Sequence, residues 1–298
     1  MLLLGASPLW AQQSSVSASR PAMGTPWRIT VYAVDTFVAH RAIDSAYARI
    51  ERVEQSMSDY RPDSEINRLA SLPARQWYPV STDLYTVLRF SEQLHMHSDG
   101  AFDVTIGTLT KRWRRAIRQQ HFPENAIRGA RTPVRSDYHL GRSGQSMLMS
   151  DSILFDLGGV AKGYALDVAG DVLRDFGIDC FLIDGGGDLL LGSAPPDRAG
   201  WTVALPSGPL DTTDVAIATS GPDYRYLLHE GVRYSHLLDP RTGLGVTHGQ
   251  TVTVFAPTGM VADGLASALS VRTTARSALI QLFPATTYRV MHEYIPIR

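Results

Sequence analysis

The chain has 298 residues, 44% of them hydrophobic, enough to bury a sizeable core as one large domain or two intimate halves. Its 28 basic and 29 acidic side chains leave a formal net charge of −1, which argues against binding driven by nucleic-acid phosphates. Cys180 is the only cysteine, so an internal disulfide and a cysteine-rich metal site are both excluded. Its apolar context, Cys180-Phe-Leu-Ile183, suits a buried small hydrophobe rather than a nucleophile.

Residues 1–11 are apolar, and a Gln/Ser-rich stretch follows, like the end of a secretory signal with Leu9-Trp-Ala11 as cleavage site. The basic start of such a signal is missing. Export, to the periplasm or beyond, is the expectation, with residues 1–22 as a leader and no cysteine to carry a lipid anchor. No other stretch approaches transmembrane length. Trp27 to Ala33 alternates as a strand does. Asp35 or Thr36 can then cap a helix carrying Ile43, Ala46, Tyr47, Ile50, Val53 and Met57 at helical spacing.

A loop at 58–65 leads to a helix that Ser81 caps, which carries Leu84, Val87, Leu88 and Leu94 and ends near Gly100. His95 and His97, near its end, read as structural. The spacing of Ile106, Leu109, Trp113 and Ile117 predicts a third helix from about Thr105 to Gln119. Its basic run, Lys111-Arg-Trp-Arg-Arg-Ala-Ile-Arg118, reads as a solvated face. Residues 120–146 are polar and Pro/Gly-punctuated, a surface excursion between halves.

A strand at Ile153–Leu157 and a helix over 163–176 follow, joined by Gly158-Gly159. Further strands are expected around 181–183, 189–191, 201–205, 215–218, 224–228, 232–238 and 251–255, with a helix over 261–271. Strands joined by short turns, with helices grouped rather than alternating, point to α+β and not to a doubly wound parallel sheet.

Three stretches can carry chemistry. The Gly-rich turn after Leu157 exposes backbone N–H groups at a helix start, where anions bind, and Asp156 and Lys162 flank it. It lacks P-loop spacing, and Gly243-Leu-Gly-Val-Thr-His-Gly249 fails as a dinucleotide loop. Asp263 and Ser267, four apart, share one helix face, and with a backbone carbonyl they form a hard-oxygen set suited to Mg²⁺ rather than zinc. By itself Asp263 reads first as the cap of a helix whose small residues pack closely. His236, at a strand end beside the Asp239-Pro240 turn, can act as a general base or hydrogen-bond a phosphate.

Taken in order, eight stretches resemble the ApbE family of flavin transferases. They are Met23-Gly-Thr25, Tyr60-Arg-Pro-Asp-Ser-Glu65, Gly100-Ala-Phe-Asp-Val-Thr-Ile-Gly107, Asp156-Leu-Gly-Gly-Val-Ala-Lys-Gly163, Asp184-Gly-Gly-Gly-Asp188, Thr219-Ser-Gly221, Ser235-His-Leu-Leu-Asp-Pro-Arg-Thr-Gly243 and Ala262-Asp-Gly-Leu-Ala-Ser267. The resemblance implies one catalytic domain over 23–298. Its fold would be α+β and T-fold-related, with mixed or antiparallel sheets, packed helices and two intimate subdomains.

It also implies a reaction in which FAD is cleaved with Mg²⁺, FMN passes to a threonine or serine hydroxyl of a target flavoprotein, and AMP leaves. By position, Met23, Tyr60, Ala101, Phe102 and Asp103 would contact FAD. Asp156 and Lys162 would hydrogen-bond it, and Leu238 would line the pocket. The Gly159 carbonyl, Asp263 and Ser267 would hold the metal, and His236 would activate the acceptor hydroxyl or stabilise charge at phosphorus. Two positions depart from the pattern: Ser267 is more often threonine, and Ala266 stands where some members carry aspartate. The competing readings are an FAD pyrophosphatase and a flavin-binding protein without turnover.

Overall fold

The computed structural model describes residues 13–123, 138–141, 146–149, 153–222 and 225–292. The apolar start of the leader lies outside this set, as does most of the 120–146 excursion. The centre of the fold is a seven-stranded antiparallel sheet. Its members, in spatial order, are β1 (Ser14–Ala22), β2 (Thr25–Ala33), β6 (Phe181–Gly185), β7 (Leu189–Leu191), β10 (Val215–Ser220), β15 (Gln250–Ala256) and β16 (Thr287–His292). β2 buries Trp27, Ile29, Val31 and Ala33 on one face, which is the alternation seen in the sequence. β15 buries every residue from Thr251 to Val254, as a strand covered on both faces must.

Residues 14–22, expected in the leader, form β1 and pair with β2 from Ser14↔Ala33 to Ala22↔Thr25. Of its residues only Val16 is buried. An edge strand of this kind has no apolar period to betray it, and its polar side chains suit an edge.

One face of the sheet carries α1 (Thr36–Met57), α5 (Ala161–Asp175) and α6 (Gly259–Val271), and α3 (Thr82–His97) packs on α6. Asp35 caps α1 by accepting from the N–H groups of Phe37 and Val38, and Ser81 caps α3 by accepting from Leu84. The other face is covered by the hairpin β8 (Trp201–Leu205) and β9 (Gly208–Thr212), where Trp201 and Val203 pack on Leu189, Leu191 and Ile217. Cys180 belongs to that small cluster; burial lifts its thiol to about 11, and it donates to the Ala194 carbonyl.

A short α2 (Glu65–Ala70), packed on α1, and a three-stranded sheet of β3 (Trp77–Pro79), β5 (Ser146–Met149) and β4 (Tyr138–Leu140) complete the helical side. The rest is α4 (Gly107–Gln119), the hairpin β11 (Tyr226–His229)–β12 (Val232–Ser235), the pair β13 (Leu238–Asp239)–β14 (Leu244–Gly245), and α7 (Arg276–Ile280). Among the described residues no helix is long and apolar enough to cross a membrane.

Two strand expectations change. Residues 153–157 are not a strand: Leu154 makes one parallel bridge with Ile106, and Asp156 N–H donates to the Val104 carbonyl at 2.8 Å. The partner segment turns into α4 at Gly107, so pairing has nowhere to continue. The strand expected over 232–238 is interrupted after Ser235, where the Leu237 N–H turns back to donate to Ser235 Oγ at 3.1 Å, and β13 begins only at Leu238. Ser235 donates to Val246 and His236 donates to Arg225, both at 2.9 Å.

Candidate active site

A cavity of about 890 Å³ opens where α4, the Gly-rich turn, the β6–β7 turn, the ends of β10 and β15, residues 236–240 and α6 converge. That volume is near the top of the usual range for ligand pockets, about 300–1,000 Å³. Tyr60, Ala101, Phe102, Asp103, Asp156, Gly159, Lys162, His236, Leu238, Asp263 and Ser267 all line it. Met23 does not. It sits in the β1–β2 turn with φ of 50°, and its N–H donates to Glu54 Oε2 at 2.9 Å.

The floor is built by two helix starts that meet. α5 begins at Ala161, two residues earlier than the periodicity indicates, so Lys162 stands in its first turn. Val160, the residue before it, offers no side-chain cap. Asp263, from the interior of α6, supplies one instead: its Oδ2 accepts from Gly163 N–H at 3.0 Å. Asp263 is therefore not the cap of its own helix, where Thr258 serves. Among the described residues its second oxygen has no hydrogen-bond partner.

Lys162 Nζ pairs with Asp188 Oδ2, and Asp188 is buried. Burial works against the lysine's charge, but the Asp263 and Asp188 carboxylates outweigh it and raise its pKa. Burial pushes the Asp263 carboxyl up to about 6; Lys162 pulls against that rise and Asp188 adds to it. One ammonium thus serves two buried carboxylates, and a second cation at this point would be welcome.

The chemistry of the donors agrees. A Cβ placed on Gly159 would come within 2.8 Å of Ser267 Oγ, so only glycine lets this backbone lie against that hydroxyl. The Gly159 backbone, Ser267 and Asp263 form a hard-oxygen corner with one carboxylate. Such a set suits Mg²⁺ completed by ligand phosphates and water, and fits no soft metal. Among the described residues no group of three or more His, Cys, Asp or Glu could hold a metal ion by itself.

The opposite wall is held by Arg114. Its Nη1 donates to Asp59 Oδ2 at 2.6 Å and its Nη2 to Asp156 Oδ2 at 3.0 Å, while its guanidinium lies 4.9 Å from the centre of the Tyr60 ring. Asp156 also accepts from Gly158 N–H at 2.9 Å, which closes the Gly-rich turn. The Asp59 carboxyl is raised by burial and by Asp156, with Arg114 opposing. Tyr60 itself is 72% exposed at the mouth. Asp103 is tied down from below: its Oδ1 accepts from both the N–H and the Oγ1 of Thr105 at 2.7 Å. His95 Nδ1 lies 2.9 Å from the Phe102 carbonyl and 3.3 Å from Asp103 Oδ2, so it braces this wall.

His236 stands exposed on the rim, and Trp113 fixes the strand end beside it by donating from Nε1 to the Ser235 carbonyl at 2.8 Å.

Sequence reasoning overlooked two residues here. Asp188 closes the Asp184-Gly-Gly-Gly-Asp188 run, and nothing local marks it for a task, because the lysine it meets lies 26 positions away. Arg114 was assigned to the solvated face of α4. Helical spacing puts it in line with Ile106, Thr110 and Ile117, all of which line the cavity, so that face is a wall and not only core.

The ApbE family model matches residues 23–286. An FAD:protein FMN transferase of Vibrio cholerae is 33% identical over 286 residues, covering 91% of this chain and 85% of that protein. One from Escherichia coli K12 is 28% identical over 267 residues, covering 84% and 76%. Among solved structures, the flavin transferase ApbE from Vibrio cholerae superposes with a TM-score of 0.81 at 28% identity, covering 95% of this chain and 94% of that one. The ApbE protein of Thermotoga maritima has the same fold, with a TM-score of 0.79 at 23% identity. The α+β architecture, the ordered motifs and these relatives agree over nearly the whole sequence: this chain belongs to the ApbE family.

Proposed function

We propose that the chain is an FAD:protein FMN transferase: it binds FAD, transfers FMN to a threonine or serine hydroxyl of a target flavoprotein, and releases AMP. The observation that carries this reading is the meeting of Lys162, Asp263, Ser267, Gly159 and His236 around one cavity. Residues more than 100 positions apart in sequence supply a cation, a hard-oxygen corner and an exposed imidazole, which are the parts phosphoryl transfer needs.

The Gly159 carbonyl, Asp263 and Ser267 would hold Mg²⁺. When bound, the ion would neutralise charge on the pyrophosphate and its leaving group. Lys162, locked by Asp188, presents a fixed positive charge to the phosphates. Tyr60 on Arg114, with the buried Ala101-Phe102 wall, offers flat apolar surfaces for the ring systems of FAD. Imidazole is a suitable base near pH 7, so His236 can accept the proton of the acceptor hydroxyl at the mouth, where a protein can reach it. Ser267 supplies the same oxygen as the threonine more usual there, without the methyl that restricts its rotamer.

Incubating the protein with FAD, Mg²⁺ and a candidate flavoprotein, then weighing the acceptor by mass spectrometry, tests this reading. The expected result is a covalent FMN adduct and one AMP per adduct. Free FMN with no adduct would move the assignment to FAD hydrolysis, with water in place of the protein hydroxyl. FAD left intact would make the chain a binder.

A further inference from the structure

An acceptor hydroxyl that reaches His236 must bring its polypeptide across the rim formed by α4 and β11. Resting on the transferase reading, we propose that the basic ridge of α4 is the docking surface for an acidic segment of the acceptor protein, flanking the hydroxyl that takes FMN.

Four observations carry this. First, Lys111 is followed by Arg114 and Arg115, three and four residues on, and these by Arg118 at the same spacings, so they form one stripe along the helix, and α4 contains no acidic residue at all. Like charges at that spacing oppose the helix they sit on, so the stripe is not there for the helix's own stability. Second, the ridge is exposed. Lys111, Arg112, Arg115 and Arg118 are exposed, and none of them forms an ion pair with another described residue; only Arg114 does, with Asp59 and Asp156. The chain's formal charge is −1 overall, so this concentration of positive charge is local.

Third, the helix that carries the ridge is anchored to the hairpin that leads to His236. Trp113, 2% exposed, donates to the Ser235 carbonyl, and Gln120 Nε2 donates to the Tyr226 carbonyl at 3.1 Å. The middle and the C-terminal end of α4 are thus joined to the hairpin that leads to His236. Fourth, a further cation stands at the same cavity mouth. Arg225 is exposed, lines the cavity mouth with Arg118, forms no ion pair with a described residue, and accepts the His236 N–H on its carbonyl at 2.9 Å.

A row of exposed cations therefore runs along α4, and Arg118 and Arg225 carry it to the mouth of the cavity that His236 also lines. Inside the cavity Lys162 is already matched by carboxylates, whereas Lys111 and Arg115 do not line the cavity and lie outside reach of FAD bound there. A polyanionic polypeptide is the partner that such a rim attracts and orients. An anionic membrane would also be attracted, but it has no reason to need an imidazole at the same cavity mouth.

The test uses the full-length protein with FAD and two fluorescent peptides. Each has one central threonine, flanked by Asp and Glu in one peptide and by Asn and Gln in the other. The parent should bind the acidic peptide, with affinity falling as salt rises. K111S/R115S should weaken that binding roughly tenfold, and K111E/R115E more, as loss of rim charges does. FAD binding, read by flavin fluorescence, should not change in either variant. Equal affinity for both peptides, or unchanged binding of the acidic peptide by K111E/R115E, would overturn the proposal. So would charge-dependent binding of phosphatidylserine vesicles without binding of the peptide. Transfer to the threonine is read separately by mass. Its failure with intact, charge-dependent binding would sink the transferase reading and leave the docking surface standing.

Discussion

Asp167 and Asp263 cap each other's helices. Asp263 in α6 accepts from Gly163 N–H at the start of α5, and Asp167 in α5 accepts from Gly259 and Met260 N–H at the start of α6, at 2.5 and 2.9 Å. The two helix starts cross so closely that a Cβ on Gly163 would lie 2.1 Å from the Gly259 carbonyl oxygen. This reciprocal lock fixes Lys162 and the proposed metal corner relative to each other, so stability and function share residues at this point.

Asp263→Ala removes the only carboxylate of the metal corner together with the cap on Gly163. Turnover of FAD should be lost, while FAD binding partly survives on the remaining walls. The missing cap should lower stability by about 1 kcal/mol. Asp263→Asn keeps an acceptor for Gly163 and should recover most of that stability but none of the turnover. Activity that persists in Asp263→Ala, in an assay supplied with Mg²⁺, would refute the metal assignment.

Alanine at the two nearby glycines should separate packing from chemistry. At Gly163 the new methyl meets backbone at 2.1 Å and the Asp263 Cβ at 2.7 Å, so the helices must part. Overpacking of this kind costs roughly 1–3 kcal/mol, visible as an earlier urea midpoint. At Gly159 the methyl meets the Ser267 hydroxyl at 2.8 Å. Gly159→Ala should leave the urea midpoint nearly unchanged and raise the Mg²⁺ concentration needed for half-maximal turnover.

Arg114→Ala strands the Asp59 and Asp156 carboxylates without their shared cation and takes the support from under Tyr60. Charged hydrogen bonds of this kind are worth about 1.5–3 kcal/mol each. FAD affinity, measured by fluorescence quenching, should fall on the order of tenfold or more, with Arg114→Lys intermediate because it keeps charge but not the fork. Unchanged affinity in Arg114→Ala would show that this wall is not read by FAD.

His236→Ala should slow transfer to an acceptor by roughly 10²–10⁴-fold, the usual contribution of a general base, with FAD affinity little altered. Equal losses in both would make His236 a binding residue only.

Burial raises the Asp167 carboxyl to about 6, more than its two N–H partners lower it; its ordinary value is 3.8. Between about pH 4 and pH 6 the folded chain keeps a proton that the unfolded chain has released, so stability falls as the pH rises through that window. Asp167→Asn removes this titration. The difference between urea-derived stabilities at pH 4.5 and pH 7 should shrink in the variant by on the order of 1 kcal/mol. A variant with the same pH slope as the parent would assign the slope to other groups.

Much of this was written in short range along the chain. The caps at Asp35 and Ser81, the alternation of β2 and the helical spacing of α1, α3 and α4 are local properties, set by side-chain chemistry within a turn or two. So are the motifs at 100–107, 156–163, 235–243 and 262–267, which the cavity brings together. Local signals failed where partners are distant. The polar edge strand β1 exists because β2 offers it a register, and residues 153–157 fail as a strand because their partner leaves at Gly107.

The periods and the grouping of helices marked an α+β chain, and the resemblance of eight ordered motifs to one family picked out Asp156, Lys162, His236, Asp263 and Ser267 from it. Only the tertiary structure decided what each of them faces. It turned Asp263 from a possible cap of its own helix into the cap of another, gave Lys162 the partner Asp188, and placed Arg114 in the cavity wall. The reason is geometric: spacing along a helix says which residues share a face, but a face acquires meaning only from the element packed against it.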